Sequence, residues 1–347
     1  MSSIQDVAQL AQVSTATASR ALSRPDMVAA QTRQRVLDAA RQLGYQPNML
    51  ARSLRQRETR TIGLIVTDIL NPFHATLAKG VQDCAERHGY VTFLFNSDEQ
   101  PSKERRALET LRGHLPQGLI VVPTSGTRAH LDALPHLPVV ELDRVSGHPQ
   151  SSSVTVDNIG GAYVATRHLI ELGHRQIGMI VGEQSISTAV ERREGFVRAL
   201  TEAGLESRPD WLLPGHHRED DGHRAARQML TPANRPTALF IGNNEMTVGA
   251  VLVARELGLR IPDDLTIVGF DDSRWAQTMF PPLTVVAQPA YELGTRACEQ
   301  LLLQFGTDKR DPVHVQLPTE LIIRHSTGPP SARRKSSAAP RQSSLSL

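Results

Sequence analysis

Between Ser14 and Arg20 the chain reads Ser-Thr-Ala-Thr-Ala-Ser-Arg, a run of short side chains that ends in one guanidinium. A helix with that outer face can bring its backbone close to base edges, and the planar fork of Arg20 matches O6 and N7 of guanine. A second group of residues could do different chemistry. Asn71, Phe73, Asp143, Arg144, Arg192, Asn243, Asp271 and Gln288 lie just after short apolar runs or near the start of a helix, and they supply carboxylates, guanidinium groups and amides. The hydroxyls of a small polar ligand both donate and accept, so they need that mixture when they are buried. Any single Asp or Asn there is equally well explained as a helix cap. The number of them favours a site.

The elements that hold these groups can be read from periodicity. Ser3 is placed to cap a helix in which Ile4, Val7, Ala8 and Ala11 share one face, and Ser14 to cap a second. In the second, Val13, Ala18, Ala21 and Leu22 turn inward, while Thr15, Ala16, Thr17, Ser19 and Arg20 turn outward. That pair is a helix-turn-helix pattern. From Arg60 to about Arg324 the pattern becomes apolar strands alternating with helix-length segments. Strands are expected at 61–66, 90–95, 118–122 and 138–142, and again at 176–181, 238–241 and 265–270. Two α/β lobes with parallel sheets follow, with a cleft between them lined by whatever follows each strand.

Charge is distributed unevenly. Residues 1–60 hold nine arginines against Asp6, Asp26, Asp38 and Glu58, and the last residues add Arg333, Arg334, Lys335 and Arg341. Since the whole chain of 347 residues has a formal net charge of only +2, its middle is acidic. A basic end on an acidic body suits electrostatic association with DNA while discouraging indiscriminate binding. The two cysteines, Cys84 and Cys298, lack metal-like spacing and read as packed thiols in a reducing compartment. Membrane association is not expected, because no run of about 18 apolar residues occurs. The N-terminus lacks the basic and apolar regions of a signal peptide, so a cytoplasmic location is expected.

Enzyme readings are poor. The sequence has no GxxxxGK loop, no GxGxxG after a strand, no GxSxG elbow and no HExxH. The run from His216 to His223 holds three histidines and three acids, but adjacent histidines diverge and the acids read as a solvated first helical turn. No metal, cofactor or catalytic residue is expected. Residues 326–347 are rich in Ser, Pro and Arg, lack aromatics and are expected to be disordered. No leucine heptad is visible there, so no coiled coil is expected at this end.

Several segments resemble the lactose-repressor (LacI/GalR) family of bacterial transcription regulators: Asp6-Val7-Ala8, Val13 to Leu22, Thr32-Arg33 with Val36, Leu43-Gly44-Tyr45, Pro47-Asn48 and Ala51-Arg52-Ser53-Leu54. The likeness continues through Ile62-Gly63-Leu64 and Asn71-Pro72-Phe73 to Leu321-Ile322-Ile323-Arg324. It implies a helix-turn-helix headpiece at 1–46, a hinge helix and linker at 47–60, a two-lobed core similar to periplasmic binding proteins at 61–325, and the tail. It also implies DNA contacts by Ser14, Thr15, Ala16, Thr17, Arg20, Tyr45, Asn48, Leu54 and Arg55, with Leu54 entering the minor groove. In the core, Asn71, Phe73, Asp143, Arg144, Arg192, Asn243, Asp271 and Gln288 are similar to the sugar-contacting set of periplasmic ribose-binding proteins. His74 and His217 stand where those pockets present aromatic rings. Gln12 replaces a turn glycine, Ala18 a Val and Ala29 a capping Ser, which implies a less stable headpiece. Asn244, where Asp is commoner, is expected to serve only as a helix cap.

The resulting expectation is a cytoplasmic, nucleoid-associated homodimeric repressor. It reads palindromic operator DNA under control of a small effector, ribose or another monosaccharide. The alternatives are a periplasmic-type solute-binding protein, or a regulator responding to a nucleoside, a purine or a sugar acid.

Overall fold

A computed structural model describes residues 2–23, 25–45, 59–134, 136–306 and 311–331. Contacts divide the chain into two units, Met1–Thr59 and Arg60–Leu347.

Among the described residues, the first unit holds three α-helices, Ile4–Leu10, Thr15–Ser23 and Ala30–Gln42. Both expected caps form. Asp6 N–H donates to Ser3 Oγ at 3.3 Å while the Asp6 carboxylate accepts from Ser3 N–H at 2.8 Å. Thr17 N–H donates to Ser14 Oγ at 3.1 Å. Val7, Ala8, Ala11, Ala18, Ala21, Val36, Ala39 and Ala40 make a small core. Its side chains are mostly alanine, so each helix adds little apolar area and the caps and turns matter in proportion. Two of those are poor. Gln12 takes a left-handed φ of 53°, and Ala29 offers no side-chain cap to the third helix.

The second unit contains two sheets. Strands β1 (Thr61–Val66), β2 (Val91–Asn96), β3 (Gly118–Val121), β4 (Val139–Asp143) and β5 (Ser152–Val156) build the first lobe. After β5 the chain crosses to the second, which holds β6 (Ile177–Val181), β7 (Leu212–Pro214), β8 (Ala238–Ile241), β9 (Thr266–Phe270) and β10 (Thr284–Ala287). It then returns. Helix Ala290–Leu302 packs Leu293, Ala297, Cys298 and Leu301 into the first lobe's core. Strand β11 (His314–Leu317) joins the first sheet and β12 (Glu320–Ile322) the second, giving the orders β11-β5-β4-β3-β1-β2 and β12-β10-β9-β8-β6-β7. All pairings are parallel except β10 with β12.

Helices Pro72–Arg87 and Ala290–Leu302 approach closely because Gly80 and Gly294 face the partner's backbone. A Cβ on Gly80 would lie 2.2 Å from the Tyr291 carbonyl oxygen, and one on Gly294 2.1 Å from that of Leu77. Cys84 and Cys298 are fully buried beside this crossing, and burial pushes the Cys298 thiol far up. Strand β2 lies at the edge of its sheet and is largely exposed. One expectation changes. Residues 326–331 do not belong to a disordered tail: Ser326 Oγ donates to the Ile267 carbonyl at 2.6 Å and accepts from Thr284 N–H at 2.8 Å. The Gly328 carbonyl accepts from His174 Nε2 at 2.8 Å and Thr266 Oγ1 at 3.1 Å, so this segment completes the strand ends.

Candidate functional site

The carboxyl ends of the strands in both lobes open onto one cleft of about 600 Å³. Asn71, Phe73, His74, Asp143, Arg144, Arg192, His217, Asn243, Asp271 and Gln288 all line it. The topology explains the convergence. Asp143 ends β4 and Asp271 follows β9, each in the left-handed region with φ of 71° and 79°. A non-glycine residue held there costs roughly 1–2 kcal/mol, so both turns are fixed by their surroundings.

In the first lobe, Arg144 Nη1 donates to both oxygens of Glu99 at 3.0 Å, and its Nε donates to Asp143 Oδ2 at 3.3 Å. Burial would lower the Arg144 pKa, but the Glu99 and Asp143 carboxylates outweigh it and hold it above its ordinary value. Asp143 Oδ1 is buried with no hydrogen-bond partner among the described residues. His74 Nε2 lies 3.3 Å from Thr67 Oγ1, and its Nδ1 donates to the Asp68 carbonyl at 3.2 Å.

In the second lobe, the Arg192 guanidinium lies over the Phe270 ring, 3.7 Å from its centroid. It donates to Asn158 Oδ1 at 2.8 Å and to the Gly242 carbonyl at 2.6 Å. Asp271 accepts from Asn244 N–H at 3.3 Å and from Gln288 Nε2, whose own Oε1 is buried without a partner among the described residues. Burial raises the Asp271 pKa despite Arg192 nearby. Next to it, Arg324 grips Asp272 with two 2.8 Å bonds and the Leu283 carbonyl with a third at 2.9 Å. His217 lies against Gly182, where a Cβ would come within 2.1 Å of its Nε2. Burial, followed by Arg144 and Arg192, pulls its pKa well below the usual imidazole value, and burial does the same more mildly to His74.

One reading from the sequence needs correction. Asn243, not Asn244, is the helix cap: its Oδ1 accepts from Met246 N–H at 2.9 Å. Asn244 instead bonds Asn71 across the cleft, joining residues 173 apart in sequence. The acids after His216 do form the solvated first turn of helix Glu219–Leu230, and the exposed Glu219 and Asp220 line the cleft with Asp68, Asp98, Glu99 and Glu245. Sequence reasoning missed Glu99 and Asn244, because their partners are set by how strands and lobes meet, and no local pattern marks them.

In the headpiece, Ser14, Thr15, Ala16 and Arg20 are exposed, whereas Thr17 and Ser19 are half-buried. Tyr45 is also half-buried and packs on the headpiece core, leaving part of the ring outside. Asn48, Leu54 and Arg55 lie outside the described residues. Among the described residues, no helix is long and apolar enough to cross a membrane.

Comparison with known proteins agrees with this geometry. A family model for bacterial regulatory proteins of the lacI family matches residues 3–48, and one for a periplasmic binding protein-like domain matches residues 166–327. The chain is 38% identical over 332 residues to the HTH-type transcriptional repressor PurR of Haemophilus influenzae (strain PittEE), covering 94% of this chain and 98% of the relative. It is similar to a putative ribose operon repressor from Burkholderia thailandensis, with TM-score 0.71 and 34% identity over 76% of this chain and 98% of that one. It is also similar to the Lac repressor dimer bound to operator and the anti-inducer ONPF, with TM-score 0.84 and 28% identity over 94% and 99% of the two chains. A helix-turn-helix headpiece, a two-lobed core and these relatives together establish that the chain belongs to the lacI family of DNA-binding transcriptional repressors.

Proposed function

We propose that this repressor acts as a homodimer in the cytoplasm and binds an inverted-repeat operator under control of a neutral monosaccharide held between its core lobes. The observation that carries the effector reading is the cleft itself. Ten polar and aromatic groups from both lobes converge there, and two buried acceptors, Asp143 Oδ1 and Gln288 Oε1, still need donors. Sugar hydroxyls can donate to both. Arg144 and Arg192 sit beside Asp143 and Asp271, and the rest of the lining is rich in carboxylates, which disfavours phosphorylated or acidic sugars. A nucleoside or purine is the second reading. The Phe73 and His74 rings, 5.4 Å apart and tilted by 59°, line the cleft and offer it aromatic faces to pack against.

On the DNA side, the exposed Ser14-Thr15-Ala16 edge and Arg20 support readout in each half-site. Leu54 is proposed to wedge a central pyrimidine–purine step. The exposed apolar residues Val91, Phe93 and Leu94 in the first lobe and Phe280 in the second are surfaces a second copy would cover. Calorimetry with D-ribose, ribose 5-phosphate and a free purine base, followed by operator titration with each, tests the effector class. Binding only of the phosphate would overturn the neutral-sugar reading. Arg20→Ala should cost about 1–3 kcal/mol of operator affinity and relax preference at one base pair per half-site. Full discrimination retained in a selection experiment would refute that contact.

A further inference from the structure

The lobes are joined across the cleft by a reciprocal amide pair. Nδ2 of Asn71 donates to Oδ1 of Asn244 at 3.1 Å, and Nδ2 of Asn244 donates to Oδ1 of Asn71 at 2.9 Å. Both side chains are buried, at 6% and 1% exposure. Their orientation is fixed by local chemistry. Asn71 Oδ1 also accepts from Phe73 N–H at 2.9 Å as the cap of helix Pro72–Arg87, so its amide nitrogen must point to the other lobe. Asn244 is the matching residue at the start of helix Asn244–Glu256, and it is free to face Asn71 because Asn243 already caps that helix. Its backbone N–H holds Asp271 Oδ2.

We propose that Asn244 is a positioning residue that holds the two lobes together before any effector arrives, and that effector control of this repressor acts on a cleft already latched on one side. The pair matters for regulation through the reading of the cleft as the effector site. It has a contrasting counterpart: Val145 N–H donates to Ser187 Oγ at 3.0 Å, also across the lobes, but that bond is exposed and water competes for it. Inside the cleft, opening the lobes would strand buried amides unless water replaced both bonds. The latch also removes the Asn71 amide from the groups available to a ligand, contrary to its expected role as a sugar contact.

The test uses the full-length protein with neither effector nor DNA, so its outcome is separate from that of the effector reading. Paramagnetic labels at Glu109→Cys and Gln228→Cys, exposed on helices of the two lobes, report the lobe separation, while Cys84 and Cys298 are buried away from labelling. Losing two buried hydrogen bonds should raise the ratio of open to closed molecules roughly tenfold. Asn244→Ala should therefore shift the distance distribution toward opening, with melting temperature and circular dichroism reporting that the fold is intact. Asn244→Asp keeps the shape but lacks the donor and sets a carboxylate against Asn71 Oδ1, so it should open the lobes as well. Asn71→Ala combined with Asn244→Ala should open them no further than Asn244→Ala alone. An unchanged distribution in Asn244→Ala, or closure retained in Asn244→Asp, would overturn the proposal.

Discussion

The neutral imidazole of His217 makes the stability of the core depend on pH in a way that one substitution can isolate. Burial holds its folded pKa well below the ordinary value of 6.5. The unfolded chain therefore takes up the proton first, so this residue's contribution is full above about pH 6.5 and falls as pH drops toward the folded pKa. At about pH 5.5 the unfolded imidazole is roughly ten times more often protonated than not, which costs the folded state at most about 1.4 kcal/mol relative to neutral pH. His217→Phe removes this titration and keeps a flat ring against Gly182. Its left-handed φ of 60° costs the variant a strain that does not change with pH. Urea unfolding of both proteins at about pH 7.5 and about pH 5.5 gives the difference directly. The variant should gain on wild type between the two conditions, by at most about 1.4 kcal/mol. A stability difference that stays constant with pH would show that His217 is not held neutral in the folded core.

Other expectations follow from local geometry. Gly182→Ala should push the His217 ring out of its slot, so its pKa should climb toward 6.5 in an NMR titration, and an unmoved value would contradict the packing. Gln12→Gly relieves a left-handed non-glycine residue and Ala29→Ser supplies a missing cap, each worth about 1 kcal/mol. Amide exchange in helix Ala30–Gln42 should slow about fivefold per substitution, and unchanged protection would show that these two positions do not limit headpiece stability. Arg324→Lys loses the two-pronged grip on Asp272 and should destabilise the core by about 1–3 kcal/mol, read from the urea midpoint; a midpoint equal to wild type would refute it.

Much of the fold was legible because burial leaves a regular trace. The runs at β1, β3, β4, β6, β8 and β9 are continuous apolar stretches, buried on both faces, and their ends stand within a residue or so of expectation. Strand β5 escaped notice because Ser152-Ser153-Val154-Thr155-Val156 is half hydroxyl-bearing, and Ser152 and Ser153 use those hydroxyls to bond Gln304 and His314. Strands of three residues, such as β7 and β12, are too short to show a period. The cleft's members could be named one by one because they follow strands. What they do could not be read the same way. Asn71 and Asn243 are spent largely on caps, the latch needs both lobes in place, and Glu99 meets Arg144 only through the sheet.

The last described strands join neighbouring lobes that were otherwise complete. β11 borders β5 at one margin of the first sheet, and β12 borders β10 at the corresponding margin of the second. Neither sheet can therefore be completed during synthesis until residues 314–322 have left the ribosome. A message cut short before residue 311 would leave two sheets with bare margins, each ready to pair with another copy. A shortened product should therefore be prone to associate through those margins rather than stay as separate molecules.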